Sequence, residues 1–355
     1  MTLLFQRFLC CVLLLTTQVS YAQKNKNKEI ADANGKQALL FMDNGKTDDA
    51  IKYFQKAQQL DPGNINYPYE IALALYTKKQ YDKSVAILEK LRTHKDVYSK
   101  VFQLLGNCYD ELKKTDKAFD TYTAGLLLFP KAPELYLELG NTSQRSKDYN
   151  TAIKYYEKGI EADPRFPSNY YWAARLFCTS TEKVWGMIYG EIFMTIERNT
   201  VRTAEIGRLL YNTYQNQIRF YSDSSFTVNF SRSSSPDNKP SFAKDIYEKI
   251  LDSTVKGERS VSIASLARIR TKFIEYYYKN NIYLQYPNVL FDYEYKAYRS
   301  GNSEAYTYWL LSKGNDGEFT QWVKDNLLAW QKFLGWFLQY SIPLDDKYRF
   351  LRSQY

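Results

Sequence analysis

Catalysis near neutral pH usually draws on histidine, and this chain contains one, His94. Ser-His-Asp and Cys-His arrangements would both depend on that single residue. It lies in a turn between two helical stretches, where an exposed loop role is expected. The four cysteines, Cys10, Cys11, Cys108 and Cys178, form no spaced cluster, and with one histidine they do not make an ordinary zinc site. A glycine-rich phosphate loop is absent. Acid-only chemistry needs two placed carboxylates; Asp345 and Asp346, adjacent after Pro343, read instead as a turn or helix start. The expectation is a chain without catalytic residue, metal or cofactor, which holds another macromolecule and is not an enzyme.

The N-terminus points to export. Arg7 supplies a positive end, residues 8–19 an apolar run, and Ser20-Tyr21-Ala22 a small-x-small cleavage site, so residues 1–22 read as a secretory leader cut after Ala22. The run is shorter than the roughly 20 apolar residues a span needs, so no integral membrane span is expected in the mature chain. Cys10 and Cys11 lie inside the run, not at a lipid-attachment position. Residues 23–30 are an N-terminal extension whose Lys24, Lys26 and Lys28 read as a solvated terminus. Losing the leader removes only Arg7, taking the formal charge from +9 to +8. In a periplasmic or secreted protein that charge serves solubility, and nucleic acid is not the expected partner. With 45% apolar and 25% charged residues, the chain is globular.

The elements that must position any binding residue follow a 34-residue period. Ala50, Ser84, Ala118 and Ala152 occupy a small-residue slot, and Phe54, Leu88, Tyr122 and Tyr156 a large slot four residues later. Ala57, Leu91, Gly125 and Gly159 follow; Pro62, Pro130 and Pro164 close three units, with Asp96 in that place in the remaining one. Small residues let two antiparallel helices approach, large ones fill the gap between pairs, and proline ends the second helix.

This pattern resembles the tetratricopeptide repeat, most clearly in Phe102, Leu105-Gly106, Tyr109, Ala118, Tyr122, Gly125 and Pro130. The resemblance implies an all-α fold: a helical-hairpin solenoid of units 31–64, 65–98, 99–132 and 133–166, a degenerate fifth unit over 167–200, then a C-terminal helical region. In the fifth unit Tyr170, Ala173-Ala174 and Phe177 keep the first helix, while Gly186 and Gly190 replace the expected residues and permit close contact with another helix. Units lie ~10 Å apart, so Cys108 in the third and Cys178 in the fifth are expected reduced, with Cys178 towards the groove.

The resemblance further implies a concave groove lined by the first helix of each unit. Its candidate residues are Tyr69, Tyr76, Lys100, Gln103, Asn107, Asn141, Gln144, Arg145, Tyr171 and Arg175. Rings beside amide and Arg groups suit a protein or peptide partner, amides bonding its backbone and rings covering apolar side chains. A carboxylate clamp of Lys and Asn is disfavoured, since Gln103 replaces a Lys and Glu138 and Trp172 take two other clamp positions.

After Thr200 the period is lost and no family is recognised. Helices are expected over residues 200–221, 243–251, 260–279, 288–298 and 303–311, with a loop over 222–240 and a long helix over 317–340. The long helix carries Phe319, Trp322, Leu327, Trp330, Phe333, Leu334 and Phe337, a stripe expected to seal a core. Residues 201–355 are thus expected to form a helical domain. The functional expectation is an exported scaffold or adaptor. The alternatives are a glycan binder or carboxylate-dependent carbohydrate enzyme using the C-terminal half, and a membrane-surface protein.

Overall fold

The computed structural model describes residues 2–222, 225–232 and 241–355, with side chains from Gln23 onward. Within them the chain is all-α apart from one short hairpin. Helices pair in sequence: α1 (Thr2–Asp43) with α2 (Thr47–Leu60), α3 (Asn66–Thr77) with α4 (Tyr81–Leu91), and α5 (Ser99–Glu111) with α6 (Thr115–Leu128). Next come α7 (Pro133–Arg145) with α8 (Tyr149–Ala162), and α9 (Pro167–Thr179) with α10 (Lys183–Ile196). The leader falls within α1, and its side chains lie outside the described residues.

The first four hairpin turns are built the same way. Gly45, Lys79, Lys113 and Lys147, spaced by the repeat length, adopt φ of 71°, 58°, 60° and 63°. The next residue's N–H reaches back to close the first helix: Lys46 to Phe41, Gln80 to Leu75, Lys114 to Tyr109 and Asp148 to Ser143, at 2.8–2.9 Å. This left-handed termination satisfies carbonyls that would otherwise be orphaned. Three lysines hold a conformation that glycine adopts without steric cost.

The small slots are sites of close approach. Ala50, Ser84, Ala118 and Ala152 are fully buried, as are Tyr122 and Tyr156. A Cβ at Gly106 would stand 2.2 Å from the Tyr122 ring, and one at Gly140 2.3 Å from Tyr156. Glycine in the first helix is therefore what admits tyrosine in the second. At Gly186 a Cβ would meet the backbone nitrogen and Sγ of Cys178 at 2.6 Å, the close contact expected of the degenerate unit. Cys178 is consequently 6% exposed and faces α10, not a groove. Both described cysteines are free, and burial lifts their thiols to about 11 at Cys108 and about 12 at Cys178.

Beyond Thr200 the structure revises several boundaries. α11 (Val201–Gln217) packs on α9 and α10 as the next first helix of the stack would, with Tyr171 and Glu205 bonded 34 residues apart. It ends at Gln217 because Ile218 and Phe220 enter β1 (Ile218–Ser222), paired antiparallel with β2 (Ser225–Val228); the Phe220 and Phe226 rings lie 6.1 Å apart. The expected 222–240 loop thus holds a strand, and its residues 223–224 and 233–240 lie outside the described residues. A π-helical turn, Phe242–Glu248, leads into α12 (Lys249–Val255). There follow α13 (Ile263–Lys279), α14 (Ile282–Gln285), α15 (Val289–Arg299) and α16 (Ser303–Leu311).

The expected long helix is two, α17 (Asp316–Asp325) and α18 (Leu327–Gln339). Asn326, at φ −128° and ψ 39°, leaves the helical region, while its backbone N–H and its side-chain Nδ2 both close α17 on the Trp322 carbonyl. Trp322, Phe333 and Phe337 of the stripe do face the core, whereas Leu327 and Leu334 are exposed. Among the described residues no helix is long and apolar enough to cross a membrane.

Two compact units divide at Pro130 and Lys131, within the third repeat and not at Thr200. The C-terminal tail explains why the fourth repeat joins the later helices. Arg352 pairs with Glu157 of α8 at 3.0 Å, Arg349 with Glu161 at 3.3 Å, and Phe350 is fully buried against Trp185 and Tyr189. Asp345 makes the expected turn, its Oδ1 accepting the N–H groups of Lys347 and Tyr348 at 2.7 and 2.8 Å.

Candidate functional site

In the first unit, α3 and α5 carry the candidate residues. The Tyr69 ring packs edge-on against Tyr98 at 5.4 Å, and Tyr76 lies 5.4 Å from Tyr81. Lys100 is exposed and Gln103 half-buried. Burial raises the Glu70 carboxyl while Lys100 opposes that rise, so Lys100 contributes to the field on this face. Asn107 serves its own hairpin: its Oδ1 accepts the Tyr122 hydroxyl at 2.7 Å, with Asp110 accepting at 3.1 Å.

The same device recurs in the second unit, on α7. Tyr156 donates to Asn141 Oδ1 at 3.0 Å and Gln144 Oε1 at 2.9 Å, and Asn141 donates to Glu138 at 3.1 Å. Arg145 donates to Thr142 Oγ1 at 3.0 Å. Three of the residues expected to bond a partner therefore turn their carbonyl oxygens inward, onto tyrosine hydroxyls that burial would otherwise leave unsatisfied.

The candidates on α9 come together with residues that the lost period concealed. Arg175 lies over two rings, 5.2 Å from the Tyr171 centroid and 4.7 Å from Trp172, donates to the Tyr171 hydroxyl at 2.9 Å and pairs with Glu205 at 3.5 Å. Tyr171 in turn donates to Glu205 at 2.6 Å. From α11, Arg202 approaches the Tyr171 ring at 5.1 Å and donates to Ser168 at 3.0 Å, with Glu197 as its counter-ion. Burial, then the hydrogen bond to Glu205, raises the Tyr171 hydroxyl, so it stays a donor. Arg202 and Glu205 stand 34 residues after Ser168 and Tyr171. Extending the register by one helix would have found them. The cluster offers guanidinium donors over aromatic faces, chemistry that suits carboxylates, backbone carbonyls and apolar side chains.

One further polar group lies deep in the second unit. Arg270 donates to Glu191 at 2.6 Å, Glu294 at 2.9 Å and the Tyr214 hydroxyl at 3.1 Å, all buried. Burial, reinforced by Glu191 and opposed by Arg270, pushes the Glu294 carboxyl well above the usual range. Glu294 is thereby held towards its protonated form. The adjoining cavity, about 20 Å³, has room for a water molecule and not for a sugar. His94 sits in its turn, its Nδ1 accepting the Asp96 N–H at 3.1 Å. Among the described residues no group of three or more His, Cys, Asp or Glu is placed to hold a metal ion.

The hairpins, their small-residue slots and their left-handed turns are those of tetratricopeptide repeats. Tetratricopeptide repeat models match residues 41–108 and 133–166. Curated relatives include the general transcriptional corepressor trfA of Dictyostelium discoideum, 27% identical over 34% of this chain and 9% of that protein. The TPR repeat-containing protein YpiA of Bacillus subtilis is 23% identical over 39% of this chain and 32% of its own length. The chain therefore spans less than a third of either relative. Among solved structures, pilF of Pseudomonas aeruginosa aligns with TM-score 0.45 and 20% identity over 54% of this chain and 86% of that one.

Proposed function

We propose that this protein is an exported scaffold that holds an extended protein segment along the first-helix faces of α7, α9 and α11 in its second unit, with Trp172, Arg175, Arg202 and Glu205 as the anchor. The observation that carries the reading is Arg175 stacked on both Tyr171 and Trp172 beside a second guanidinium. An arginine pre-oriented on rings loses little freedom on binding, and a half-buried tryptophan beside it supplies apolar area, the usual composition of an interface hot spot. The favoured partner is a peptide with an acidic residue next to an apolar one. Export rests on the leader read over residues 1–22.

At the Arg270 cluster no carbohydrate site is formed, because Glu191 and Glu294 are closed around Arg270 beside a cavity that admits no sugar. The test is peptide display against the mature chain, followed by binding isotherms for Trp172→Ala and Arg175→Ala. Enrichment of acidic-apolar peptides and a loss of about tenfold or more in affinity, ~1.4 kcal/mol, is expected. Peptides bound equally well by both variants would move the surface elsewhere, and the absence of any peptide enrichment would sink the scaffold reading.

A further inference from the structure

The second unit contains an open pocket of about 600 Å³ between α13, the turn after α15 and the start of α16, far from anything the repeat register describes. Its wall carries Arg268, Lys272, Thr271, Tyr298, Ser303 and Glu304, over a floor of α13 alanines. Arg268 is fixed in place: its Nε donates to Glu258 Oε1 at 3.0 Å and its Nη2 to Oε2, yet more than half of its side chain remains exposed. Glu258 is buried and occupied by that contact, while Lys272 reaches it only at 3.9 Å. A third cation arrives from α18. Lys332 Nζ lies 3.2 Å from where a Cβ on Gly301 would stand, and it has no carboxylate partner among the described residues.

The acid on the wall itself, Glu304, accepts the Trp322 indole N–H on Oε1 at 3.0 Å and keeps its charge at the opening. Thr271 and Ser303 bring their hydroxyls within 2.8 Å of each other on the same wall. Arg268 and Lys272 on the wall and Lys332 beside Gly301 outnumber the carboxylates Glu258 and Glu304 by one, which leaves the opening positive. Its volume exceeds what a bare anion fills and falls in the range of small-molecule pockets. We propose that this pocket binds a phosphate monoester carried on a small organic body, the phosphate held by Lys272, Lys332 and Arg268 and the body lying over Ala264, Ala267 and the Tyr298 ring. Guanidinium, ammonium and hydroxyl donors on one wall suit the several oxygens of a phosphate.

Titration calorimetry on the mature chain with glucose 6-phosphate and with inorganic phosphate, together with flotation on vesicles of phosphatidylcholine with and without phosphatidic acid, tests this. Saturable binding that weakens with salt is expected, lost by about tenfold or more in the Lys272→Ala, Lys332→Ala double variant. Both lysines are exposed, so an unchanged melting temperature will confirm that the variant is folded. Glucose 6-phosphate binding assigns a soluble ligand, and retention on phosphatidic acid vesicles alone assigns a lipid headgroup. Binding by neither, binding unaffected by the double substitution, or inorganic phosphate binding as tightly as the ester would overturn the proposal.

Discussion

Tyr156 shows how a single residue joins two roles in this chain. Its ring fills the space a side chain at position 140 would take, and its hydroxyl uses Asn141 and Gln144 as acceptors. Tyr156→Phe should lower stability by about 1–2 kcal/mol in urea unfolding, the loss of a buried hydrogen-bonded hydroxyl. Gly140→Ala should lower it further by forcing the ring aside. A Tyr156→Phe variant as stable as the parent would show that the hydroxyl contributes nothing net. Asn141→Ala will likewise register as a stability change, so Trp172 and Arg175 are the cleaner probes of binding. The buried Arg270 cluster gives a pH signature. Glu294 is raised in the folded state, so it favours folding when protonated in both states, and that contribution declines as pH rises above the ordinary 4.5 towards the folded value. Glu294→Gln keeps the hydrogen-bonding shape without the ionisation. Its melting temperature should fall less steeply than the parent's between mildly acidic and alkaline pH, and parallel pH profiles would remove Glu294 as the source.

At the scale of the elements, the repeated turn is the least expected feature. Composition marks 79, 113 and 147 as surface lysines, yet all three stand where the first unit has Gly45. Lys113→Gly should stabilise the first unit by about 1 kcal/mol, since the strain of a left-handed non-glycine residue exceeds the entropy glycine adds to the unfolded chain. Thermal unfolding checks the sign, and destabilisation would mean that the lysine side chain makes a contact worth more than the strain. The helices themselves were readable wherever an apolar period met a proline or a small-residue slot. Their ends were readable less often. Asn326 is unremarkable in sequence, and the last helix divides there because its backbone leaves the helical region, at φ −128° and ψ 39°.

For the molecule as a whole, the tail is what ties the fourth repeat to the later helices. Phe350 is completely buried and Arg352 supplies the counter-ion of Glu157. Phe350→Ala should destabilise the second unit by about 3–5 kcal/mol, read by protease sensitivity or calorimetry, and a change under 1 kcal/mol would show that the tail is only draped on the surface. Export is tested in the native host: N-terminal sequencing of the protein from the cell envelope or medium should begin at Gln23. A retained Met1 would refute the leader assignment.

What the sequence alone determined is what repeats. A 34-residue period places small residues, rings and prolines in one register, and short-range packing within each hairpin obeys it because neighbouring helices meet at the same positions in every unit. The candidate binding residues on α9 were legible for that reason. Tertiary structure decided what has no period: that Arg270 gathers Glu191, Glu294 and Tyr214, and that Lys332 stands beside the pocket walled by Arg268 and Lys272. Each of these depends on side chains brought together from different helices, and pairings between elements distant along the chain leave no spacing for a sequence to display.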